Sequence, residues 1–341
     1  MKLFIASGNE LLVAEKRTGE WSLVSRSLPK GDIQAVAAEP QGGAVFAGTL
    51  DHGLWYSTNE GESWEQIGKD VLHNRVMALH VTSYKGTDRD EETRLYVGTE
   101  PSELYCTTNY GQTWERFPSL LTLPSKSTWS FPPRPYTHHV RDIATSKKDK
   151  NFILAGIELG GVMRSLDGGK SFEDRKEGSQ FDCHTIKVHP ENDQLIYEAG
   201  GGGFAESRDK GNTWNTHNDG LGEFTYLVHV AVDPGDSELV VVSAAEGPMT
   251  AYSPSRAHTH IYRREKTGGV WSRVSDGLPD PTHSTVYHLH SNPNEPHCFY
   301  AVNNNGIYCS DDKGKTWSEA PVQWSESVHH KRITDVWLQS E

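Results

Sequence analysis

The chain has 341 residues, and a chain near this size buries roughly three quarters of its unfolded surface, which allows one large domain or two ordinary ones. Only 35% of its residues are hydrophobic, yet 10 Trp, 13 Tyr and 10 Phe exclude a disordered chain and suit an aromatic-rich β protein with 32 glycines for its turns. The net charge of -13 excludes nucleic acid and anionic membrane surfaces as partners, and no apolar run approaches the ~20 residues of a membrane-spanning helix.

At the N-terminus the apolar stretch Leu3–Ala6 is shorter than the ~7–15 residues of a signal-peptide core, so the expectation is a cytoplasmic protein without a secretory leader. The four cysteines, Cys106, Cys183, Cys298 and Cys309, form no CxxC pair, which fits reduced thiols better than a disulfide or zinc framework. Further along, one phrase keeps returning. Ser57-Thr58-Asn59-Glu60-Gly61-Glu62-Ser63-Trp64 is followed by Thr107–Trp114, Ser165–Phe172, Ser207–Trp214 and Ser310–Trp317, with glycine spacings of 50, 58, 42 and 103 residues. The last gap holds a worn copy, Glu265–Trp271, and another worn copy, Glu15–Trp21, precedes the first full one. Seven units therefore end at Trp21, Trp64, Trp114, Phe172, Trp214, Trp271 and Trp317. The Asn or Asp at the third position is expected to bond backbone amides two residues on, Gly to permit a left-handed backbone, and the final ring to pack into a sheet.

These boxes resemble the Asp-box (BNR) repeats of sialidases, xyloglucanases, sortilin-type receptors and a photosystem assembly factor. The resemblance covers nearly the whole chain and implies β-propeller architecture, with each box a structural turn remote from any active site. The rest of each unit fits a four-stranded blade. Its innermost strand aligns seven times on two apolar columns. One column is Ile33, Val76, Val140, Cys183, Leu227, Val286 and Ile333; the other, three residues on, is Val36, Leu79, Ile143, Ile186, Val230, Leu289 and Val336. The last copy, Arg332–Leu338, has no box after it, and the box at Trp21 has no inner strand before it. The expected fold is thus all-β: a single seven-bladed propeller spanning 1–341, closed by 331–338 joining 1–28. Its other blades are expected at about 31–68, 74–117, 138–176, 182–218, 225–275 and 284–320.

Chemistry is expected at the end of each blade opposite its box. There the inner strands begin with Gly31-Asp32, His73–Arg75, His138-His139, Asp182–His184, Thr225-Tyr226, His283–Thr285 and His329–Arg332. The loops between second and third strands add Asn9-Glu10, Asp51-His52, Glu100, Glu158, Gly200–Gly203, Glu246 and Asn303–Asn305. Five of the seven beginnings carry histidine, the commonest metal ligand and proton shuttle. His139, His184, His229 and His288 are candidate ligands for Fe, Cu, Mn or Zn, against the alternative that they bond across blades or face water. Glu158, Glu246, His73 and Tyr226 are candidate catalytic groups. Arg75, Arg141 and Arg332, with Trp129, His283 and His330, are candidate substrate contacts, the arginines as anion clamps. The arginines parallel the sialidase arginine triad, but the Phe/Tyr-Arg-Ile-Pro signature is absent and sialidases have six blades.

One strand column reads Ala35, Ala78, Asp142, Thr185, His229, His288 and Asp335, and knitting of adjacent blades is its plain reading. Glu198 falls within a second strand, where a buried carboxylate needs a partner or a raised pKa. Two insertions, Phe117–Tyr136 and Glu246–His258, are read as ordered walls at the same end, and Lys85–Thr93 as a solvated hairpin tip. No phosphate-binding Gly loop, GxSxG elbow or HExxH helix is present, so no nucleotide cofactor is expected. The reading is an enzyme on a small polar, anionic substrate at a His/Glu/Arg-lined funnel, metal-dependent if the histidines converge, its lyase, hydrolase or oxygenase class left open. The alternatives are a non-catalytic binding or assembly propeller, and a sialidase-like glycoside hydrolase.

Overall fold

The computed structural model describes residues 1–40, 42–85, 91–324 and 326–340. The chain is almost wholly β and folds as the seven sheets of a seven-bladed β-propeller. It divides into two compact units, residues 1–175 with 334–341, and residues 176–333. The first unit holds four sheets. In spatial order these are Asp335–Gln339, Lys2–Ser7, Glu10–Arg17 and Glu20–Ser27; Ile33–Ala38, Val45–Thr49, Leu54–Ser57 and Glu65–Ile67; Arg75–Lys85, Glu91–Glu100, Leu104–Thr107 and Glu115–Arg116; and Val140–Thr145, Ile153–Ile157 and Gly161–Ser165. The second unit holds three more. These are Cys183–His189, Asn192–Gly200, Gly203–Ser207 and Asn215–Thr216; Tyr226–Asp233, Asp236–Ala245, His260–Arg264 and Ser272–Val274; and His288–Ser291, Phe299–Asn303, Gly306–Ser310 and Ser318–Glu319.

The C-terminal strand completes the N-terminal sheet, with Trp337 opposite Phe4 and Val336 opposite Ile5. One expected strand is missing. In the fourth sheet the outermost strand shrinks to a single bridge between Arg164 and Glu173, beside the one box that ends in Phe rather than Trp. The charged segment expected as a hairpin tip falls largely on 86–90, outside the described residues.

Sheets within each unit pack face to face through separate apolar layers. Phe4, Leu11, Val36 and Val45 fill the space between the first two sheets, and Phe204, Leu227, Val240 and Trp271 join the first two of the second unit. Both expected columns are buried throughout. Their three-residue spacing is wrong for a regular strand, whose side chains alternate with period two. A bulge resolves it. The first strand of five sheets slips register between Ile33 and Ala35, Val76 and Ala78, Val140 and Asp142, Cys183 and Thr185, and Leu227 and His229. One extra residue between the columns returns both to one face, so Val76 and Leu79 share one core and Val140 and Ile143 another. Close approach of neighbouring sheets requires Gly98, where an added Cβ would stand 2.6 Å from Val140.

The boxes close on themselves, though not by the bond expected. Asn59 Oδ1 accepts the N–H of Ser63, four residues on, at 2.9 Å, and Ser57 Oγ accepts the N–H of Gly61 at 2.8 Å. Asp209 and Ser207 repeat the pair on Thr213 and Gly211, both at 2.8 Å. The leading hydroxyl is therefore as much part of the motif as the carboxylate. Gly61 sits at φ +85°, and an added Cβ would lie 3.0 Å from the Trp64 ring that covers it.

Candidate functional site

The ends of the sheets where the first strands begin, here the leading ends, carry the charged and aromatic groups. In the first unit the centre is Glu100, the last residue of its strand and only 2% exposed. Arg75 stands directly opposite it in the ladder and donates from Nη1 to Oε1 at 2.8 Å. Arg134, from the Phe117–Tyr136 insertion, grips the same carboxylate in bidentate fashion, Nε to Oε1 at 2.6 Å and Nη2 to Oε2 at 2.5 Å. Burial alone would raise the pKa of Glu100. The Arg134 bond and charge, with His139 and Arg75, outweigh it and hold the carboxyl below its ordinary value.

His139 lies beside this clamp and is 3% exposed. Its Nε2 is 3.1 Å from Oε2 of Glu158, and Arg141 Nε approaches the same oxygen at 3.4 Å. Arg141 is the extra residue of its bulge, a device that re-aims a side chain out of the alternating pattern. Phe131 stands edge-on to the His139 ring at 4.7 Å, and Arg134 covers the Phe131 ring. The Nδ1 of His139 is shielded from solvent and has no hydrogen-bond partner among the described residues.

The insertion that supplies this roof is ordered. Two 3-10 turns, Pro118–Thr122 and Pro124–Thr128, bring Phe117, Leu120 and Leu123 into the core. Trp129 goes with them. It is buried, with its indole N–H on Ser125 Oγ at 2.9 Å, so it belongs to the wall rather than to the substrate contacts expected of it. His138 Nδ1 meets Ser102 Oγ at 2.8 Å, and burial, then Lys126 and His139, lower its pKa. His73 is exposed, 3.7 Å from Glu103 rather than within the Glu100 cluster. Asp335 takes the N–H of Val36 in the adjoining sheet at 2.8 Å, which is the knitting read for its column.

In the second unit the candidates have other partners. His184, also at a bulge, points Nδ1 at the Leu227 carbonyl at 2.6 Å, which fixes the proton on that nitrogen. Its Nε2 lies 3.4 Å from Asp182 Oδ1, and neither atom has a hydrogen-bond partner among the described residues. A ring held this way is oriented like a metal-ligating histidine. The pair offers one nitrogen and one oxygen, against the ~4 ligands of a zinc site. His288 bonds instead to the Ile333 carbonyl at 3.1 Å, and its ring packs against His229 at 4.2 Å. Of the expected ligands His139, His184, His229 and His288, backbone carbonyls of adjoining strands claim a nitrogen of His184 and one of His288, while His229 and His288 lie ring to ring.

Tyr226 packs between His184 and Tyr252, at 4.8 and 6.2 Å. Arg332 lies over the Tyr252 ring at 3.9 Å. His283 is exposed and bonds through Nδ1 to the Pro254 carbonyl, and Glu246 and His330 are exposed. Glu198 is fully buried with its Oε2 on the Gln180 N–H, and burial pushes its pKa up to about 8 against the lowering effect of that bond and of Cys183.

Glu100 was placed at this end by the sequence but given no role there, and Arg134 was not singled out. The signals were present: Glu100 ends its strand as Glu158 nearly does, and Arg134 is an arginine fixed between prolines at 133 and 135.

Comparison with known proteins agrees with this architecture. The BNR/Asp-box repeat family matches residues 308–319. No curated protein matches the chain. Among solved structures, an ancestral GH74 enzyme is 18% identical over 85% of this chain, with a TM-score of 0.64, and a GH74 enzyme of Niastella koreensis is 17% identical over 92%, with a TM-score of 0.61. The chain spans only 38% and 54% of the lengths of those two proteins. YCF48 bound to D1 peptide is 16% identical, with 86% of this chain and 82% of that one covered and a TM-score of 0.55. At such identities the likeness is one of fold. With the repeated boxes and the seven sheets, it makes the chain an Asp-box repeat protein with the seven-bladed β-propeller fold.

Proposed function

We propose that the chain is an enzyme that binds a small polar, anionic substrate at the leading end of its first unit and moves a proton through His139 and Glu158. The observation that carries this is the state of His139, a buried imidazole with Nε2 on Glu158 and Nδ1 unpaired among the described residues. A buried ring nitrogen without a partner costs stability, and a ligand hydroxyl or amide would remove that cost. With Glu158 orienting the ring, a proton can pass between the ligand and the carboxylate, the geometry general acid–base chemistry needs.

The anionic preference follows from the clamp. Glu100 carries two guanidiniums, one more positive charge than it neutralises, and Arg75 is the more exposed of the two at 35%. Its outward positions suit a carboxylate or phosphate. An acidic peptide segment is the second reading, favoured by Tyr136, which is 78% exposed and bonds Arg75. That reading matches the peptide-bound state named for YCF48. The likeness to GH74 enzymes alone supports a glycoside substrate less well, since the site described here is built on arginines.

The test is calorimetric titration with a panel of small carboxylates and phosphate esters, alongside short acidic peptides, on the wild type, Arg75→Met and His139→Gln. The expected result is saturable binding of one small anion, lost in Arg75→Met while the variant, destabilised by the loss of one partner of buried Glu100, stays folded. Binding of peptides alone would favour the second reading. Binding that ignores both substitutions would overturn the assignment of the site.

A further inference from the structure

At the leading end of the second unit, beside strands His260–Arg264 and Ser272–Val274, lies a cavity of about 140 Å³. A cavity of ~150 Å³ takes a benzene ring. Its apolar wall is Ile261, Val274, Leu278, Pro279 and Pro281, with Tyr287 closing one side. Thr259 also lines it, but its hydroxyl is engaged by the carbonyls of Ser284 and Thr285, both at 2.9 Å.

Arg273 and Ser275 line its exposed rim, and the buried polar group in the wall is His260. It is 8% exposed, edge-on to Phe224 at 4.7 Å and 4.9 Å from His258. Its Nε2 is shielded and has no hydrogen-bond partner among the described residues. Burial first, then the neighbouring His258 and Arg273, press its pKa down to about 4, so the ring is neutral near pH 7. Arg273 lines the cavity as an exposed residue, with its positive charge acting on His260. The flanking carboxylate of Asp280 is engaged by the Thr282 N–H at 2.8 Å.

We propose that this cavity is a second binding site of the chain, separate from the first-unit cluster, for a small monocarboxylate with a compact, ring-sized apolar body. The body fills the space between Ile261, Val274 and Leu278. The carboxylate reaches the Nε2 of His260, as the tautomer protonated there, and the guanidinium of Arg273. Neither group is supplied by the box repeat, and nothing in the box geometry requires them.

The experiment uses benzoate as the probe on the full chain, with benzamide and acetate as controls for charge and for apolar body, followed by calorimetry and by ligand-observed NMR. Benzoate is expected to bind saturably at millimolar concentration, with both controls at least about tenfold weaker. Arg273→Met, at an exposed position, should weaken benzoate about tenfold, and Leu278→Trp should abolish binding by filling the space. Arg75→Met should leave it unchanged. Loss of benzoate binding in Arg75→Met but not in Arg273→Met would place the probe at the first-unit arginines and overturn the proposal. So would absence of binding at ~10 mM, or equal binding of benzamide.

Discussion

The two ends of each sheet follow different rules. At the box end, the bonds that matter span four residues: Ser57 to Gly61, Asn59 to Ser63, Asp209 to Thr213. At the leading end, Arg75 meets Glu100 across 25 residues, Arg134 meets Glu100 across 34, and His184 meets the Leu227 carbonyl across 43. Short-range closure makes the box end repeat almost without variation, because each turn is complete in itself. Long-range closure leaves the leading ends free to differ from sheet to sheet, and binding sites grow where residues need not repeat.

The largest way to break this contrast is to remove the one strand whose partners lie at the opposite terminus. Deleting residues from Lys331 onward strips the strand Asp335–Gln339 from Lys2–Ser7. It should unfold the first unit outright, and a thermal melt within a degree or two of the full chain would contradict the pairing.

At the box end, Trp214→Ala removes a ring that is 8% exposed and should cost ~3–5 kcal/mol in urea denaturation. Ligand binding by the folded fraction should be unaffected. At the leading end, Arg134→Ala leaves Glu100 buried with Arg75 alone and should cost ~2–4 kcal/mol, less than a fully broken buried pair. Here binding should fall with stability, and a variant that loses stability yet keeps full affinity would show that the clamp is structural only.

Glu198 gives a smaller effect with a definite sign. Its native pKa is pushed up to about 8 from 4.5, so the native state keeps a proton that the unfolded state releases. Stability is therefore lost as pH rises from about 4.5 to about 8. Glu198→Gln should remove that loss, becoming more stable than wild type by pH 8 while matching it near pH 4. Parallel stability curves across this range would mean the carboxylate is ionised in place. Smallest is Asp209→Ala, which deletes the bond to the Thr213 N–H at 2.8 Å and should cost ~1–2 kcal/mol with no effect on binding.

Much of the fold was legible in advance. The seven repeats gave the seven sheets, and the orphan strand after Arg332 and the orphan box at Trp21 located the terminal pairing. The site was legible only as a neighbourhood. His139, Glu158, Arg75 and Arg141 were expected at one end and do cluster, whereas of the other expected ligands His229 and His288 stay ring to ring and the Leu227 and Ile333 carbonyls take His184 and His288. A sequence displays donors and acceptors on side chains, but not which backbone carbonyl of an adjoining strand will take them.

By itself, then, the sequence determined the number of sheets, their order and the turns that end them, since these rest on short-range hydrogen bonds and periodic burial written in consecutive residues. The tertiary structure decided the rest. It set the bulges that put columns three residues apart on one face and re-aim Arg141 and His184. It reduced the outer strand beside Phe172 to one bridge, drew Trp129 into the core, and delivered Arg134 to Glu100. Each of these depends on how far one strand slips against another or how an insertion packs over a neighbouring sheet. Such energies arise only between residues distant along the chain, so no local pattern records them.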